Sequence, residues 1–463
     1  MTEAATITDA AVAALLAELG ADLVRTGDAI DPRFHHDWAD YPATRPKALV
    51  LPRTTEDVSA ALRICHAHRQ GVVTQGGLTG LAGGAHPGPD DVALSLSRMV
   101  GIEEVDASSA TLTAQAGTPL EQLHQAAEAA GFTCGIDLGA RGSCTIGGNV
   151  ATNAGGINVL RYGMTRQNVR GLEVVLADGT VVRSLNKLIK NNTGYDWPQL
   201  FIGAEGTLGV VTRVVLALHP PVRSRQTALC AIRDFDAALA ILRFLEEEIP
   251  GRLLAFEAMW PDFYRFATRT AGVSAPLPGD APLYLLVETS LPDQESLEAP
   301  LAVLLERGLL HDAVLAKSEE ERRRLWAIRE VPAEYARHFR GGSVKFDVGI
   351  PLGHMGEAVR ALRDLIDRSW PEATAVFYGH VADSNLHLVL GRLDGAALPQ
   401  KAIEEAVYGI VSRFEGSVSA EHGIGLSKKA YLPLSRSPEE LGLMRLIKGA
   451  IDPLGLLNPG KVL

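Results

Sequence analysis

Asp137-Leu138-Gly139-Ala140-Arg141-Gly142-Ser143-Cys144-Thr145-Ile146-Gly147-Gly148-Asn149-Val150-Ala151-Thr152-Asn153-Ala154-Gly155-Gly156 is the stretch on which the reading of this chain turns. Nearly every side chain in it is small or carries a short hydrogen-bonding group, so backbone can approach a large flat ligand along the whole run. Upstream, the apolar Val72-Val73-Thr74 runs straight into Gln75-Gly76-Gly77-Leu78-Thr79-Gly80-Leu81-Ala82-Gly83-Gly84. Glycines there leave room for amides to converge on a pyrophosphate, although the spacing is not the Gly-x-Gly-x-x-Gly that opens a Rossmann helix. Downstream, Asn192-Thr193-Gly194-Tyr195-Asp196 and Gly203-Ala204-Glu205-Gly206-Thr207-Leu208-Gly209 repeat the character. Turns alone do not need three such regions in one domain.

Around these runs, short apolar segments alternate with glycine clusters from about Pro46 to Pro221. Residues 48–51, 72–74, 93–96, 111–116, 172–176 and 210–216 read as strands. A helix is expected from Thr55 to His68, capped by Thr54 or Thr55, and Ala177-Asp178-Gly179-Thr180 as a hairpin turn. After Pro220-Pro221 the pattern becomes helices such as 235–248 alternating with strands such as 283–288, the mark of an antiparallel α+β domain. The expected organisation is a first domain over 1–221 with its core at 45–221, a cap domain over 222–430, and a segment 431–463 that returns to the first domain.

Length supports more than one core: 463 residues exceed what a single ordinary domain packs. A net charge of -11, with no basic run, argues against a nucleic-acid partner. Cys65, Cys134, Cys144 and Cys230 lie far apart and read as free thiols in a reducing compartment, so a cytoplasmic location is expected. Val12, Leu15, Leu16 and Leu19 recur at helical spacing, which favours an amphipathic helix over a signal sequence, and no apolar run reaches transmembrane length.

Two later motifs carry reactive groups: Gly379-His380-Val381-Ala382-Asp383-Ser384-Asn385-Leu386-His387 and Ser419-Ala420-Glu421-His422-Gly423-Ile424-Gly425. Three imidazoles and a carboxylate suffice for a three-ligand metal site with a base left over. His380 and His387 are an odd number of residues apart and would face opposite ways on an unbroken strand, but residues 382–385 read as a turn. Beyond it Leu386, Leu388 and Leu390 share one face, leaving Asn385, His387 and Val389 on the other. The stretch Glu319 to Phe339 reads as one helix that aligns Trp326, Arg329 and Ala333. A solvated arginine beside Arg322, Arg323 and Arg324 is the plainer account of Arg329.

Together these residues resemble the PCMH-type, or vanillyl-alcohol oxidase, superfamily of flavoproteins. The likeness is to the branch with D-2-hydroxyglutarate dehydrogenase, D-lactate dehydrogenase and the glycolate oxidase FAD subunit, and it covers Pro46 to Lys461. It implies an α+β fold, a PCMH-type FAD-binding domain plus a cap with an antiparallel sheet. By resemblance, Gln75, Gly76, Gly77, Leu78, Thr79 and Gly80 hold the FAD pyrophosphate. Ser143, Gly147, Gly148, Asn149, Thr152, Asn153, Gly206, Val211 and Asn458 line the rest of the cofactor. Some relatives attach FAD through a histidine where this chain has Leu78, so a linkage there is not expected.

The resemblance further makes His380, His387 and Glu421 ligands of a divalent metal, zinc or manganese, and His422 the catalytic base and a substrate contact. Arg329 and Lys345 would hold substrate carboxylates, Lys345 favouring a diacid. Ala382 and Ser384 replace the usual glycines of the first motif; both are small, and little effect is expected. Ala333 and Val389 stand where the hydroxyglutarate enzymes have hydrogen-bonding residues, which leaves D-lactate or another D-2-hydroxy acid open. The expected activity is oxidation of a D-2-hydroxy acid, D-2-hydroxyglutarate preferred. An acceptor such as electron-transfer flavoprotein or quinone is implied, and a homodimer is left open. Competing readings are a metal-free flavin oxidase or transferase, and a non-enzymatic flavin carrier or sensor.

Overall fold

The structure, a computed structural model, describes residues 9–291 and 296–463. The chain forms two compact units. One comprises the chain up to Gly156, Tyr162–Pro221 and Glu421–Leu463; the other comprises Ile157–Arg161 and Val222–Ala420. The cap of the sequence reading extended to residue 430, but the chain joins the first unit at Glu421. There Glu421 Oε1 accepts from the Gly156 amide at 2.6 Å, and the Glu205 carboxylate accepts from the Ile424 and Gly425 amides at 2.7 and 2.8 Å.

In the first unit, β1 (Val24–Thr26), β2 (Ala48–Val50), β3 (Val72–Gln75) and β4 (Val92–Ser95) pair in the order β1-β2-β4-β3. β4 runs parallel to both β2 and β3. The helix Ala10–Leu23 buries Val12 and Leu15 against this sheet's core, and the helix Thr55–Ala67 buries Val58 and Leu62. Thr54 caps the second helix in a reciprocal capping box with Asp57.

A second, antiparallel sheet follows: β5 (Ile102–Asp106), β6 (Thr111–Gln115), β7 (Thr133–Cys134), β8 (Val169–Val175), β9 (Val181–Ser184) and β10 (Val210–His219). Its order is β5-β6-β10-β8-β9, with β7 also on β10. Leu112, Leu172 and Val214 from this sheet share one apolar core with Val50 and Val72 of the first. The C-terminal segment closes the unit by running parallel to β3, where Val72 N donates to Leu456 O and Asn458 N donates to Val72 O, both at 2.8 Å.

In the second unit, β11 (Gln226–Ile232), β12 (Leu253–Met259), β13 (Leu283–Thr289), β14 (Leu310–Leu315), β15 (Ser343–Gly349), β16 (Thr374–His380) and β17 (Asn385–Gly391) form an antiparallel sheet. The order is β14-β11-β13-β12-β16-β17-β15. Pleating sorts its residues onto two faces. Met259, Tyr284, Val376, Tyr378 and Val389 pack with Phe263, Trp326 and Phe339 on one side. On the other, Phe346 meets Tyr408 of the helix Gln400–Arg413 edge-on at 5.2 Å, and Phe377 lies under Arg363 of the helix Leu352–Ser369.

The single helix expected over Glu319 to Phe339 is interrupted. It ends at Arg329, a 3-10 turn takes Val331–Glu334, and a short helix takes Tyr335–His338. Pro332 is the reason, since it has no amide to donate and disfavours helical backbone in the residue before it. The stripe joining Trp326, Arg329 and Ala333 therefore does not continue as a helix face, and the side chain of Ala333 lies outside the described residues. All four cysteines are buried and free. No helix among the described residues is long and apolar enough to cross a membrane.

Candidate functional site

The glycine-rich runs of the first unit come together at the ends of β3 and β6. Gly77 has to be glycine because a side chain there would strike the Ser143 carbonyl, so the loop after β3 and the quoted run lie backbone against backbone. Gly156, at φ +98°, is packed against the Asp137 carbonyl at the far end of the same run. Between them Ile146–Thr152 forms a short helix, ended by Asn153 in the left-handed region at φ +47°. Asn153 Oδ1 then accepts from the Arg166 amide at 2.9 Å.

Several residues assigned to the cofactor by sequence also shape the loops. Gln75 is fully buried, and its Nε2 donates to Phe34 O at 2.9 Å and Ala85 O at 3.1 Å, which closes the 76–84 loop on itself. The Asn458 side chain accepts from the Thr74 amide at 2.9 Å and donates to Gly84 O and Glu205 O at 3.1 and 2.6 Å, knitting three segments together. Thr152 donates back to Gly148 O at 3.0 Å, and Val211 is a buried β10 residue opposite Val174. Ser143 is exposed, and Gly76, Leu78, Thr79, Gly80 and Gly148 are half-buried. Gly147 is buried, and Gly206 adopts φ +71°. Leu78 sits at φ +60°, an uncommon backbone for a branched side chain.

What the loops leave over fits a large polar ligand. Among the described residues, Thr74 Oγ1, Gln75 Oε1, His86 Nδ1, Thr145 Oγ1, Asn149 Nδ2 and Lys461 Nζ are buried without hydrogen-bond partners. Buried polar atoms are ordinarily paired, so six orphans on neighbouring segments ask for a bound group with acceptors and donors of its own. Lys461 is the most telling. Its ammonium is pushed down to about 8 by burial, against the opposing pull of the Asp91, Asp37 and Glu205 carboxylates.

In the second unit, sheet register brings His380 and His387 onto one face. Tyr378 lies opposite His387 across β16–β17, and Glu257 lies opposite His380 across β12–β16. The two imidazoles stand nearly perpendicular, with centroids 5.4 Å apart, and both are buried. The chain turns between them through the 3-10 segment Val381–Asp383 and Ser384 at φ +69°. The expectation of little effect at Ala382 and Ser384 rested on size alone. The size of Ser384 is harmless, but its backbone lies in the region that favours glycine, whereas Ala382 sits within the 3-10 turn.

Arg329 is not the solvated arginine of the plainer account. It is 8% exposed, its guanidinium lies 4.6 Å from the Tyr378 ring centroid, and its Nε donates to Glu257 Oε2 at 2.7 Å. Its Nη2 donates to His380 Nε2 at 3.3 Å. Glu257 Oε1 accepts from His380 Nδ1 at 2.6 Å. Burial would push the Glu257 carboxyl up, but His380 and Arg329 beside it outweigh that and hold it below the usual range. The helix that delivers Arg329 is anchored through Glu288 of β13, which accepts from Trp326 Nε1 at 2.8 Å and Arg322 Nη1 at 3.1 Å.

Sequence reasoning missed Glu257 and Asp347. Glu257 lies in the otherwise apolar run Leu253–Met259, and Asp347, fully buried, lies opposite His387 in β15–β17. The available signal was a lone acid inside a buried strand, which requires a partner. Asn385 is 3% exposed, and neither atom of its amide has a partner among the described residues. Lys345 is exposed on the edge strand opposite Val389, and Val389 belongs to the apolar cluster. Glu421 and His422 are half-buried in the loop where the chain joins the first unit.

Residues 46–184 match the FAD binding domain family, and residues 222–462 match the FAD linked oxidases, C-terminal domain. The chain is 43% identical over 432 residues to the mitochondrial D-2-hydroxyglutarate dehydrogenase of Bos taurus, covering 92% of this chain and 78% of that protein. It is 37% identical over 466 residues to the D-2-hydroxyglutarate dehydrogenase of Xanthomonas citri pv. viticola, covering 98% and 97%. Among solved structures, p-cresol methylhydroxylase with substrate bound superposes with a TM-score of 0.78 at 18% identity, covering 98% of this chain and 96% of that one, a likeness of fold. The chain belongs to the FAD-linked oxidases, as an FAD-dependent oxidoreductase built from an FAD-binding domain, whose glycine loops carry the orphaned polar atoms, and that family's C-terminal domain.

Proposed function

We propose that this flavoprotein oxidises a D-2-hydroxy acid to the 2-oxo acid, D-2-hydroxyglutarate preferred, with the help of a divalent metal. The observation that carries the reading is the pair His380 and His387 on one sheet face, with the Arg329 guanidinium against the first of them. The names of the relatives supply the substrate class. His380, His387 and Glu421 would hold the metal, a nitrogen-and-oxygen donor set suited to zinc or manganese. When bound, FAD supplies a hydride acceptor, and the metal supplies a Lewis acid at the substrate's hydroxyl and carboxylate oxygens.

The chain's own residues do the remaining work in this reading. His422 accepts the hydroxyl proton as the hydrogen on C2 leaves as hydride. Arg329 uses Nε and one Nη2 hydrogen within the protein, which leaves Nη1 for the carboxylate beside C2. Lys345 takes the distal carboxylate of a diacid, and Asn385 offers an uncommitted amide on the His387 face. Electron-transfer flavoprotein or a quinone is the acceptor class the reading implies, with a cytoplasmic location and a homodimer still left open. Val389 supports a second substrate reading: an apolar residue packed among Val376, Tyr378 and Phe339 suits a less polar D-2-hydroxy acid such as D-lactate.

Metal analysis of the purified yellow protein tests the metal. About one zinc or manganese per flavin is expected, falling sharply in His387→Ala while flavin content holds. Full, chelator-resistant activity without metal would refute the reading.

A further inference from the structure

Glu257 connects two functions that the sequence keeps apart. We infer that it is a positioning residue that sets the ligand nitrogen of His380 and, with its other oxygen, aims Arg329; the inference rests on the metal reading above. A carboxylate oxygen can only accept, so at 2.6 Å from Glu257 Oε1 the proton of a neutral His380 is on Nδ1 and the lone pair on Nε2. Metal-bound imidazoles characteristically give their second nitrogen to a carboxylate in this way, which fixes tautomer and ring angle and strengthens the donor. Glu257 Oε2 simultaneously receives Arg329 Nε at 2.7 Å, and Arg329 Nη2 faces that same His380 Nε2 at 3.3 Å.

The three side chains form a closed ring in which one carboxylate determines two directions. Glu257 is 1% exposed, and its strand places it directly opposite His380, so neither water nor a shift of register can replace it. In the metal-free protein Arg329 donates to the nitrogen that a metal would use. Loading the metal therefore releases one Arg329 N–H, which becomes available to a substrate carboxylate only then. Metal affinity and substrate affinity are thereby coupled through Arg329, and Glu257, which contacts neither ligand, holds both His380 and Arg329 in place.

Glu257→Gln separates this role from simple packing, because it keeps the shape but must present an N–H to one of the two donors. The experiment uses the FAD-loaded protein stripped of metal, titrated with zinc against a chromophoric chelator, with KM and kcat measured after loading. The expected result is zinc affinity at least tenfold weaker and a raised KM, with flavin content unchanged. Glu257→Asp, which keeps the charge but retreats by one methylene, should fall between the two. Zinc affinity within twofold of wild type in folded Glu257→Gln would overturn the inference while leaving the metal reading intact. No saturable zinc binding by the wild type would overturn that reading itself. Should Glu257→Gln not fold, the wild type decides: the ¹⁵N spectrum of its metal-free form, with His380 assigned by His380→Asn, must show the Nδ1–H tautomer, and the Nε2–H tautomer refutes the inference.

Discussion

Replacing Glu205 by glutamine should loosen the loop that carries Glu421 and His422 without unfolding the first unit. The Glu205 carboxylate is buried and accepts from two consecutive backbone amides, Ile424 and Gly425, at 2.7 and 2.8 Å. Glutamine retains one acceptor and turns an NH2 toward the second amide. The lost charge-assisted bond is worth about 1.5–3 kcal/mol, and an orphaned buried amide costs about 1–3 kcal/mol. Part of this is offset, because burial pushes the Glu205 carboxyl up and the neutral side chain escapes that penalty. A net local cost of about 2–3 kcal/mol corresponds to exchange roughly 30- to 150-fold faster at the Ile424 and Gly425 amides. Hydrogen exchange read by mass spectrometry on peptides spanning 419–426 measures it, alongside kcat, which should fall as His422 loses its fixed position. Wild-type exchange rates in that peptide would refute the argument.

Lys461→Met should stabilise the FAD-free protein and weaken FAD binding. A lysine at about 8 when folded and 10.5 when unfolded carries its full penalty below pH 8, so wild-type stability rises with pH between those values. The advantage of the variant, up to about 3 kcal/mol at pH 7, should therefore vanish by about pH 10.5 in thermal melts; a constant difference would refute it. Ser384→Gly should raise stability by about 1 kcal/mol by relieving the φ +69° backbone, and an unchanged or lowered melting temperature counts against that strain. Val389→Asn should cost about 1–3 kcal/mol by burying an amide in the apolar cluster. An asparagine accepted without cost, with a lower KM for D-2-hydroxyglutarate, would show that the position faces substrate.

The fold was largely legible because its signals are local. The glycine runs, the strand at 72–74 and a helix cap at Thr54 or Thr55 depend on residues adjacent in sequence, and the structure has the runs and the strand there and the cap at Thr54. The faces of β17 followed from a period of two, and the register pairs Leu388 with Phe346 on one side and His387 with Asp347 on the other. The break in the Arg329 helix needed only Pro332 to be weighed against the apolar spacing. Glu257 was different. It lies 123 residues before His380, in a run that reads as core, and only the pairing of β12 with β16 brings the two together. Lys461 was hidden for a related reason: its burial depends on the C-terminal segment lying along β3, a contact that no local pattern encodes.

Anaerobic mixing of the oxidised, metal-loaded protein with D- and with L-2-hydroxyglutarate, followed by flavin absorbance, tests the central claim most directly. The account predicts rapid bleaching by the D-enantiomer, little by the L-enantiomer, and loss of the fast phase in His422→Asn. Bleaching at equal rates by both enantiomers, or at the wild-type rate in His422→Asn, would contradict it.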